Sequence, residues 1–238
     1  MIFGIIPARY ASSRFPGKPL VDLNGKSMIQ RVYEQCKKCS DLDEVIVATD
    51  DQRIYDAVIA FGGKVEMTDQ NHPSGTDRCL EIADRQEQAE IIINIQGDEP
   101  LIDPEEISKL IYVLKNQKQA DIATLIKELP ASGLDNPNRV KAVVSKSGRA
   151  LYFSRSFIPF ERDHNPNQSY FQHIGIYGYK MEALKTIASL EASNLEKTEG
   201  LEQLRWLEND LNIYTEKSNF ESLPIDTPED VAGVLDRL

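Results

Sequence analysis

The chain has 238 residues, of which 41% are hydrophobic, and its formal net charge is −11. This length fits one large domain or two small ones, and the apolar fraction is enough for a sizeable core. A strongly acidic balance argues against nucleic acid or an anionic membrane surface as the main partner.

Cysteine content and hydropathy bear on where the protein works. The three cysteines are an odd number, which is typical of free thiols in a reducing compartment. No stretch of the sequence approaches the roughly 18 apolar residues of a membrane span. We therefore predict a soluble, cytoplasmic protein that binds neither membranes nor nucleic acid.

Short β-branched runs alternate with helical patterns along the chain. The runs predict strands at 2–7, 44–49, 91–96 and 139–145. They are uniformly apolar, which is typical of a sheet that is covered on both faces. Apolar stripes with helical spacing lie at 28–39, 54–61 and 107–114. This alternation predicts one α/β domain over residues 1–238, with a mostly parallel sheet and helices on both faces.

A basic loop rich in Gly and Pro follows the first strand directly. Its sequence over residues 6–20 is IPARYASSRFPGKPL, with cations at Arg9, Arg14 and Lys18. Ligands of open parallel sheets bind beyond the carboxyl ends of the strands. Arginine binds phosphate oxygens in a fork, and lysine supplies a point charge. The loop therefore predicts phosphate binding; the alternative is three solvated surface charges.

Two other motifs are better explained by structure than by ligand binding. NGKS at 24–27 ends like a P-loop, but Leu20 stands where that motif needs Gly, so we predict a turn with Ser27 capping a helix. Cys36 and Cys39 form a lone C-x-x-C pair, without the two further ligands of a structural zinc site. Both lie on an apolar stripe and are predicted to be small buried hydrophobic residues.

Two acidic turns are candidates for holding a hard cation, which prefers carboxylate oxygens. Asp98 lies in NIQGDEP, directly after a predicted strand, and Asp226 lies in LPIDTPED, before a predicted helix start at Thr227 and Pro228. The alternatives are an ordinary turn for Asp98 and a charge that complements a helix N-terminus for Asp226.

Nine segments in this order resemble the 3-deoxy-manno-octulosonate cytidylyltransferases, also called CMP-Kdo synthetases. The segments are IPARYASSRFPGKPL, ATDD, SGTDR, QGDEP, NPNRVK, ALYFSR, HIGIYGY, LEQLRWLE and IDTPED. The resemblance implies a GT-A-like nucleotidyltransferase fold, a homodimer, and the Mg²⁺-dependent reaction of CTP with 3-deoxy-manno-octulosonate (Kdo). The products would be pyrophosphate and CMP-Kdo, a precursor of lipopolysaccharide.

The resemblance also implies roles for individual residues. Those that hold the CTP phosphates would be Arg9, Ser13, Arg14 and Lys18, with Lys18 catalytic. Those beside the nucleotide would be Ser74, Gly75 and Arg78. The catalytic Mg²⁺ ligands would be Asp98 and Asp226. Those around the sugar acid would be Gln96, Arg155, His173, Tyr177, Glu202 and Gln203.

Less specific alternatives stay open at this point. His173 and Tyr177 could be core residues of a strand, and Glu202 and Gln203 could form the solvated face of a predicted helix at about 199–210. A synthetase for sialic acid or for an amino-substituted Kdo would differ only in its sugar contacts. A non-catalytic nucleotide-binding relative would not need both Asp98 and Asp226.

Overall fold

A computed structural model describes residues 1–11, 14–163, 168–221 and 223–238. The residues pack into two units. The first contains residues Met1–Ser108 and Phe220–Leu238, and the second contains Lys109–Asn219. The prediction of one domain over 1–238 stays a prediction. No helix among the described residues combines the length and apolar character needed to cross a membrane.

The first unit contains a sheet of four parallel strands. They are β1 (Ile2–Ala8), β2 (Glu44–Thr49), β3 (Val65–Met67) and β4 (Ile91–Asn94). Their order is β3-β2-β1-β4, and Ile5 of β1 lies opposite Ile46 on one side and Asn94 on the other. Six of the seven β1 residues are buried. The uniformly apolar runs therefore predicted β1, β2 and β4 and their burial correctly, whereas β3, which is not buried, was not predicted.

Helices flank this sheet and begin where local capping favours them. Those of the first unit are α1 (Met28–Cys36), α2 (Gln52–Ala60), α3 (Gly75–Asp84) and α8 (Asp230–Leu235). The Ser27 side chain accepts a hydrogen bond from the Gln30 amide, as predicted for a helix cap. Cys36 and Cys39 are free and buried, also as predicted. A further helix, α4 (Pro104–Asn116), begins in the first unit and ends in the second.

The second unit departs from the parallel pattern. Its strands are β5 (Ile122–Glu128), β6 (Lys141–Val144), β7 (Ala150–Ser154), β8 (Phe171–Lys180) and β9 (Ile213–Lys217). β5 pairs in parallel with β9 but antiparallel with β8, and β6 pairs antiparallel with both β7 and β8. The connection from β6 to β7 is too short for a parallel crossover, so these strands form a hairpin.

Two helix boundaries differ from the sequence prediction. The predicted helix at about 199–210 is shorter, because α6 (Asn194–Glu199) ends at Gly200 in a left-handed conformation with φ of 62°. A separate helix, α7 (Glu202–Glu208), follows it, and α5 (Met181–Ser189) precedes both. The last helix begins at Asp230 rather than near Pro228, because a tight turn with a bond from the Asp230 amide to the Thr227 carbonyl comes first.

Candidate active site

A cavity of about 440 Å³ opens in the first unit where β1 and β4 end. Five predicted nucleotide-binding residues line it: Arg9, Arg14, Lys18, Ser74 and Gly75. Gln96 and Asp98, which follow β4, line it as well. Its volume is typical of a small-molecule site. The structure thus brings together seven residues that were predicted from separate motifs.

Lys18 joins the two carboxylates that were predicted to share a metal ion. Its ammonium nitrogen lies 2.7 Å from Asp98 Oδ2 and 3.5 Å from Asp226 Oδ1. Arg14 Nη2 donates to the same Asp226 oxygen at 3.1 Å. The Lys18 side chain is 14% exposed, whereas that of Arg14 is 65% exposed. Asp98 and Asp226 therefore converge on one cationic position despite their separation in sequence.

Backbone hydrogen bonds hold these two carboxylates in place. The Ile225 amide donates to the Asp98 carbonyl at 3.0 Å, which ties the two acidic turns together. Gly97 lets the chain approach β1, because a Cβ atom there would lie 2.9 Å from the Pro7 carbonyl oxygen. Both turns are thus fixed by main-chain geometry.

Asp230 holds the turn that contains Asp226. Its Oδ2 accepts from the Asp226 amide at 2.9 Å and from the Thr227 amide at 2.8 Å. These two hydrogen bonds lower the pKa of Asp230, and the bond from the Thr227 amide has the larger effect. Sequence reasoning missed this residue, although an acid three residues after Thr227 is the pattern of a capping box.

The carboxylate pair fits a magnesium ion. Mg²⁺ keeps several waters and binds through one or two carboxylates together with substrate phosphates. Among the described residues no group of three or more His, Cys, Asp or Glu side chains is placed to hold a metal ion. Asp98 and Asp226 offer the carboxylate oxygens that Mg²⁺ prefers, and the Lys18 ammonium between them shows that the pair accommodates a cation.

The loop before α3 forms another wall of the cavity. Arg9 Nη2 donates to the His72 carbonyl and, at 3.3 Å, to the Ser74 carbonyl. The Ser74 hydroxyl accepts from the Asp77 amide and the Ser74 amide donates to Asp77 Oδ2, each at 3.2 Å, which is a capping box; the hydroxyl also donates to Asp77 Oδ2 at 2.6 Å. Arg9 and Ser74 thus shape the loop through bonds within the protein. Ser13, the remaining predicted phosphate ligand, lies outside the described residues.

Arg78 has a different environment from the other predicted nucleotide residues. It is fully buried, its Nη2 donates to Asp50 Oδ2 at 2.8 Å, and its Nη1 donates to Thr68 Oγ1. Asp50 directly follows β2. These bonds connect α3 to the end of the sheet, so the structure gives Arg78 a buried ion pair. Asp50 was missed, although its position after a strand was a usable signal.

The predicted sugar residues His173 and Tyr177 lie in an aromatic cluster of the second unit. Their ring centroids are 5.3 Å apart, and Tyr177 meets the Trp206 ring edge-on at 4.9 Å. Burial lowers the pKa of His173 to about 3. Burial also raises the pKa of Tyr177, and the nearby negative charge of Glu202 raises it further. The imidazole and the phenol are therefore both neutral at ordinary pH.

Helix α7 contributes both a buried and a paired polar residue. Gln203 is 4% exposed, and no described residue accepts a hydrogen bond from its amide nitrogen. The reading of Gln203 as part of a solvated face is therefore wrong. Glu202 accepts from Arg205 Nη2 at 2.8 Å. The buried Trp206 indole nitrogen also lacks a partner among the described residues, and sequence reasoning missed it.

Arg155 caps the end of helix α6. Its guanidinium donates to three carbonyls, those of Glu199 at 2.7 Å, Pro137 at 3.1 Å and Gly200 at 3.3 Å. The Glu199 carboxylate in turn accepts from the Arg155 amide at 2.9 Å. Arg155 thus joins three chain segments of the second unit.

Comparison with known proteins places the chain in a family. A family model described as cytidylyltransferase matches residues 3–217. A 3-deoxy-manno-octulosonate cytidylyltransferase of Parabacteroides distasonis is 51% identical over 243 residues, covering 98% of this chain and 96% of the relative. One of Cytophaga hutchinsonii is 48% identical over 241 residues, with coverage of 98% and 96%.

The chain belongs to the 3-deoxy-manno-octulosonate cytidylyltransferase family. It is an enzyme, a cytidylyltransferase, and the resemblance seen in its sequence motifs is confirmed.

Solved structures confirm the fold. A CMP:2-keto-3-deoxy-manno-octonic acid synthetase complexed with CTP has a TM-score of 0.95 and 43% identity, and the match covers 99% of this chain and 97% of that one. A 4-diphosphocytidyl-2C-methyl-D-erythritol synthase from Anaerococcus prevotii has a TM-score of 0.66 at 14% identity, covering 99% and 97%, and so shares the fold alone. The predicted α/β nucleotidyltransferase fold is therefore correct.

Proposed function

We propose that this chain transfers CMP from CTP to the anomeric hydroxyl of Kdo and releases pyrophosphate. The observation that supports this most is the cavity of the first unit, where Arg14 and Lys18 lie beside Asp98 and Asp226. CTP and Kdo come from the relatives, which are named for these compounds or complexed with CTP.

Charge repulsion is the first obstacle to the reaction, because both substrates are anions. Lys18 and Arg14 present cationic groups on short, fixed segments after β1, so they can neutralise the triphosphate as it binds. As the anomeric oxygen bonds to the α-phosphorus, the bond to pyrophosphate breaks and the hydroxyl proton is released. Negative charge then grows on the leaving group, and the cations beside it stabilise that charge.

Asp98 and Asp226 would hold Mg²⁺, which when bound supplies charge neutralisation and orientation of the reacting groups. In the protein alone Lys18 occupies the position between these carboxylates. We propose that Lys18 then turns from the carboxylates to the phosphates of CTP. The flexible four-carbon side chain of lysine makes this change of partner possible.

Recognition of Kdo is assigned to six polar side chains. Gln203 has a buried amide nitrogen without an acceptor among the described residues, and such a group gains from meeting a substrate hydroxyl or carboxylate. Gln96 lines the cavity of the first unit. His173, Tyr177, Glu202 and Arg155 complete the proposed set. The product would serve lipopolysaccharide synthesis.

The test is a turnover assay with purified protein, CTP, Kdo and Mg²⁺. Pyrophosphate and CMP-Kdo should appear together, and omission of Mg²⁺ should abolish both. Parallel reactions with 8-amino-Kdo, sialic acid and the other nucleoside triphosphates define the specificity. No pyrophosphate from CTP and Kdo would overturn the proposal. Sedimentation of the same sample tests the homodimer, which stays a prediction.

A further inference from the structure

A buried threonine hydroxyl lies beside the imidazole of His173 in the second unit. Thr124 Oγ1 is 3.0 Å from His173 Nε2, 2.8 Å from the Ile176 carbonyl oxygen and 3.1 Å from the Ile174 carbonyl oxygen. Thr124 is fully buried in β5. Its hydroxyl therefore has three polar neighbours and no access to bulk water.

The pairing of β5 with β8 is irregular at this residue. Thr124 lies opposite Tyr177, but the next residue, Leu125, lies opposite Ile174. β8 therefore contains two extra residues here, Gly175 and Ile176. Such bulges are found next to functional sites, where they redirect a side chain. This one brings two β8 carbonyls to the same threonine hydroxyl.

The neighbours of the hydroxyl decide where its proton lies. A carbonyl oxygen can only accept a hydrogen bond, and a hydroxyl has one proton to donate. If Thr124 donated to His173, its oxygen lone pairs would face two carbonyl oxygens. Donation to a carbonyl, with the closer Ile176 oxygen as the better placed acceptor, reduces this repulsion and leaves Thr124 Oγ1 free to accept from the imidazole. His173 Nε2 must then bear a hydrogen atom.

We propose that Thr124 is a positioning residue that holds His173 in the tautomer protonated at Nε2, so that Nδ1 accepts a hydrogen bond from a hydroxyl of the sugar. This inference rests on the proposed function, in which His173 contacts the sugar acid. A neutral imidazole with a bare Nδ1 recognises a hydroxyl donor and does not attract a carboxylate. His173 therefore contributes to the selection of a polyhydroxy substrate.

The surroundings of His173 support a fixed, neutral ring. Phe153 meets it edge-on with ring centroids 5.0 Å apart, and Tyr177 lies against it at 5.3 Å. The low pKa of about 3 excludes the doubly protonated form at ordinary pH. Ring position, charge and tautomer are thus all determined before the substrate arrives, which favours a directional hydrogen bond.

Three variants separate the positioning role from a structural one. Thr124→Val has nearly the same shape but cannot accept from His173, whereas Thr124→Ser keeps the hydroxyl. Thr215→Val is the matched control, because Thr215 pairs with Thr124 in the sheet and its hydroxyl donates only to the Gly148 carbonyl, at 2.9 Å. We expect Thr124→Val to raise the KM for Kdo about tenfold, with the KM for CTP unchanged. Thr124→Ser and Thr215→Val should resemble the wild type.

The tautomer is measured directly by ¹⁵N NMR of the imidazoles. The chain has only three histidines, so His173→Gln identifies the signals. The wild type should bear its proton at Nε2, and Kdo should shift the Nδ1 resonance without protonating it. In Thr124→Val both neutral tautomers of His173 should be populated.

Several outcomes would overturn the inference: a proton on Nδ1 in the wild type, no Nδ1 response to Kdo, or an unchanged KM for Kdo in Thr124→Val. Failure of the proposed function is distinct, since the wild type would then be inert with CTP and Kdo. If Thr124→Val does not fold, the inference is still tested by the wild-type ¹⁵N spectra and by the KM for Kdo of Thr124→Ser.

Discussion

The polar side chains of the two units differ in charge and in exposure to solvent. In the first unit, Lys18, Asp98 and Asp226 are charged and partly exposed, and Lys18 pairs with both carboxylates beside an open cavity. In the second unit, Tyr177 and Gln203 are buried, and the uncharged rings of His173 and Tyr177 pack in an aromatic cluster. The first arrangement suits an anion with a metal ion, and the second suits a neutral hydroxyl-rich surface.

The contrast has a physical basis in what each environment can tolerate. Buried charges are costly unless they are paired, so a site for phosphates retains access to water and internal ion pairs. A buried neutral donor without a partner costs less and discriminates well, because the wrong substrate leaves it unsatisfied. Charge removal should therefore damage chemistry in the first unit, whereas loss of a neutral group should damage sugar selection in the second.

The largest effect is expected from the carboxylates. Asp98→Asn and Asp226→Asn keep the side-chain size but remove the negative charge that would hold Mg²⁺. Each should fold normally and lose about a hundredfold or more in turnover, equivalent to about 2.7 kcal/mol of barrier. The double variant should be little worse than either single variant, because groups that act as a unit are not additive.

The measurement is turnover against Mg²⁺ concentration for these variants and the wild type. Asp103→Asn is the matched control, since Asp103 accepts from the Glu105 amide at the start of α4 and contributes nothing to the cavity. A wild-type response to Mg²⁺ in either single variant would remove that residue from the site. Multiplicative losses in the double variant would indicate independent roles.

The next largest effect is expected from the two cations of the loop, whose removal should cause losses of different size. Lys18→Ala should reduce kcat/KM for CTP more than Arg14→Ala, because Lys18 is 14% exposed and contacts both carboxylates, whereas Arg14 is 65% exposed and contacts one. We expect about a hundredfold loss for Lys18 and about tenfold for Arg14. Steady-state kinetics with thermal unfolding as a fold control makes the test. Equal or negligible losses would show that burial does not determine how much each cation contributes to kcat/KM for CTP.

A smaller effect should distinguish sugar binding from nucleotide binding. Gln203→Leu removes a buried amide whose nitrogen has no acceptor among the described residues, so it should not destabilise the fold. The KM for Kdo should rise about tenfold, and the KM for CTP should stay constant. Glu202→Gln, whose parent carboxylate pairs with Arg205, is the comparison on the same helix. An effect of Gln203→Leu on CTP alone would contradict the assignment to the sugar.

The sequence predicted the first unit better than the second. Uniformly apolar runs are buried parallel strands, and the loop and acidic turn after β1 and β4 meet because parallel strands end at one edge. Asp98 and Asp226 were paired by the resemblance to a family, not by spacing. Their link through Lys18 and the Ile225 amide depends on tertiary packing, which no local pattern shows.

Antiparallel pairing and side-chain partners account for most of what was missed in the second unit. The strand β6 was predicted as part of a mostly parallel sheet, because apolar runs do not show strand direction, and its hairpin partner β7 was not predicted. The resemblance placed Arg155 beside the sugar and Arg78 beside the nucleotide, and the sequence did not show that one donates to three carbonyls and the other pairs with Asp50. Burial of Gln203 on a polar helix face likewise depends on what packs against that face.

The smallest effect expected is a dependence of stability on pH that comes from His173. Its pKa is about 3 in the folded protein against about 6.5 in an unfolded chain. Between these values the unfolded state binds a proton that the native state excludes. The free energy of unfolding should therefore fall as the pH falls below 6.5, and it should level off above that pH.

Urea unfolding at several pH values from 5 to 7.5 tests this prediction. One proton limits the slope to about 1.4 kcal/mol per pH unit, and the partly exposed ring should give less than this limit. His173→Gln should flatten the curve, whereas Thr215→Val, which changes no titratable group, should leave its slope unchanged. Parallel curves for the wild type and His173→Gln would mean that the imidazole titrates normally in the folded protein. The contrast between a charged first unit and a neutral second unit would then fail at His173.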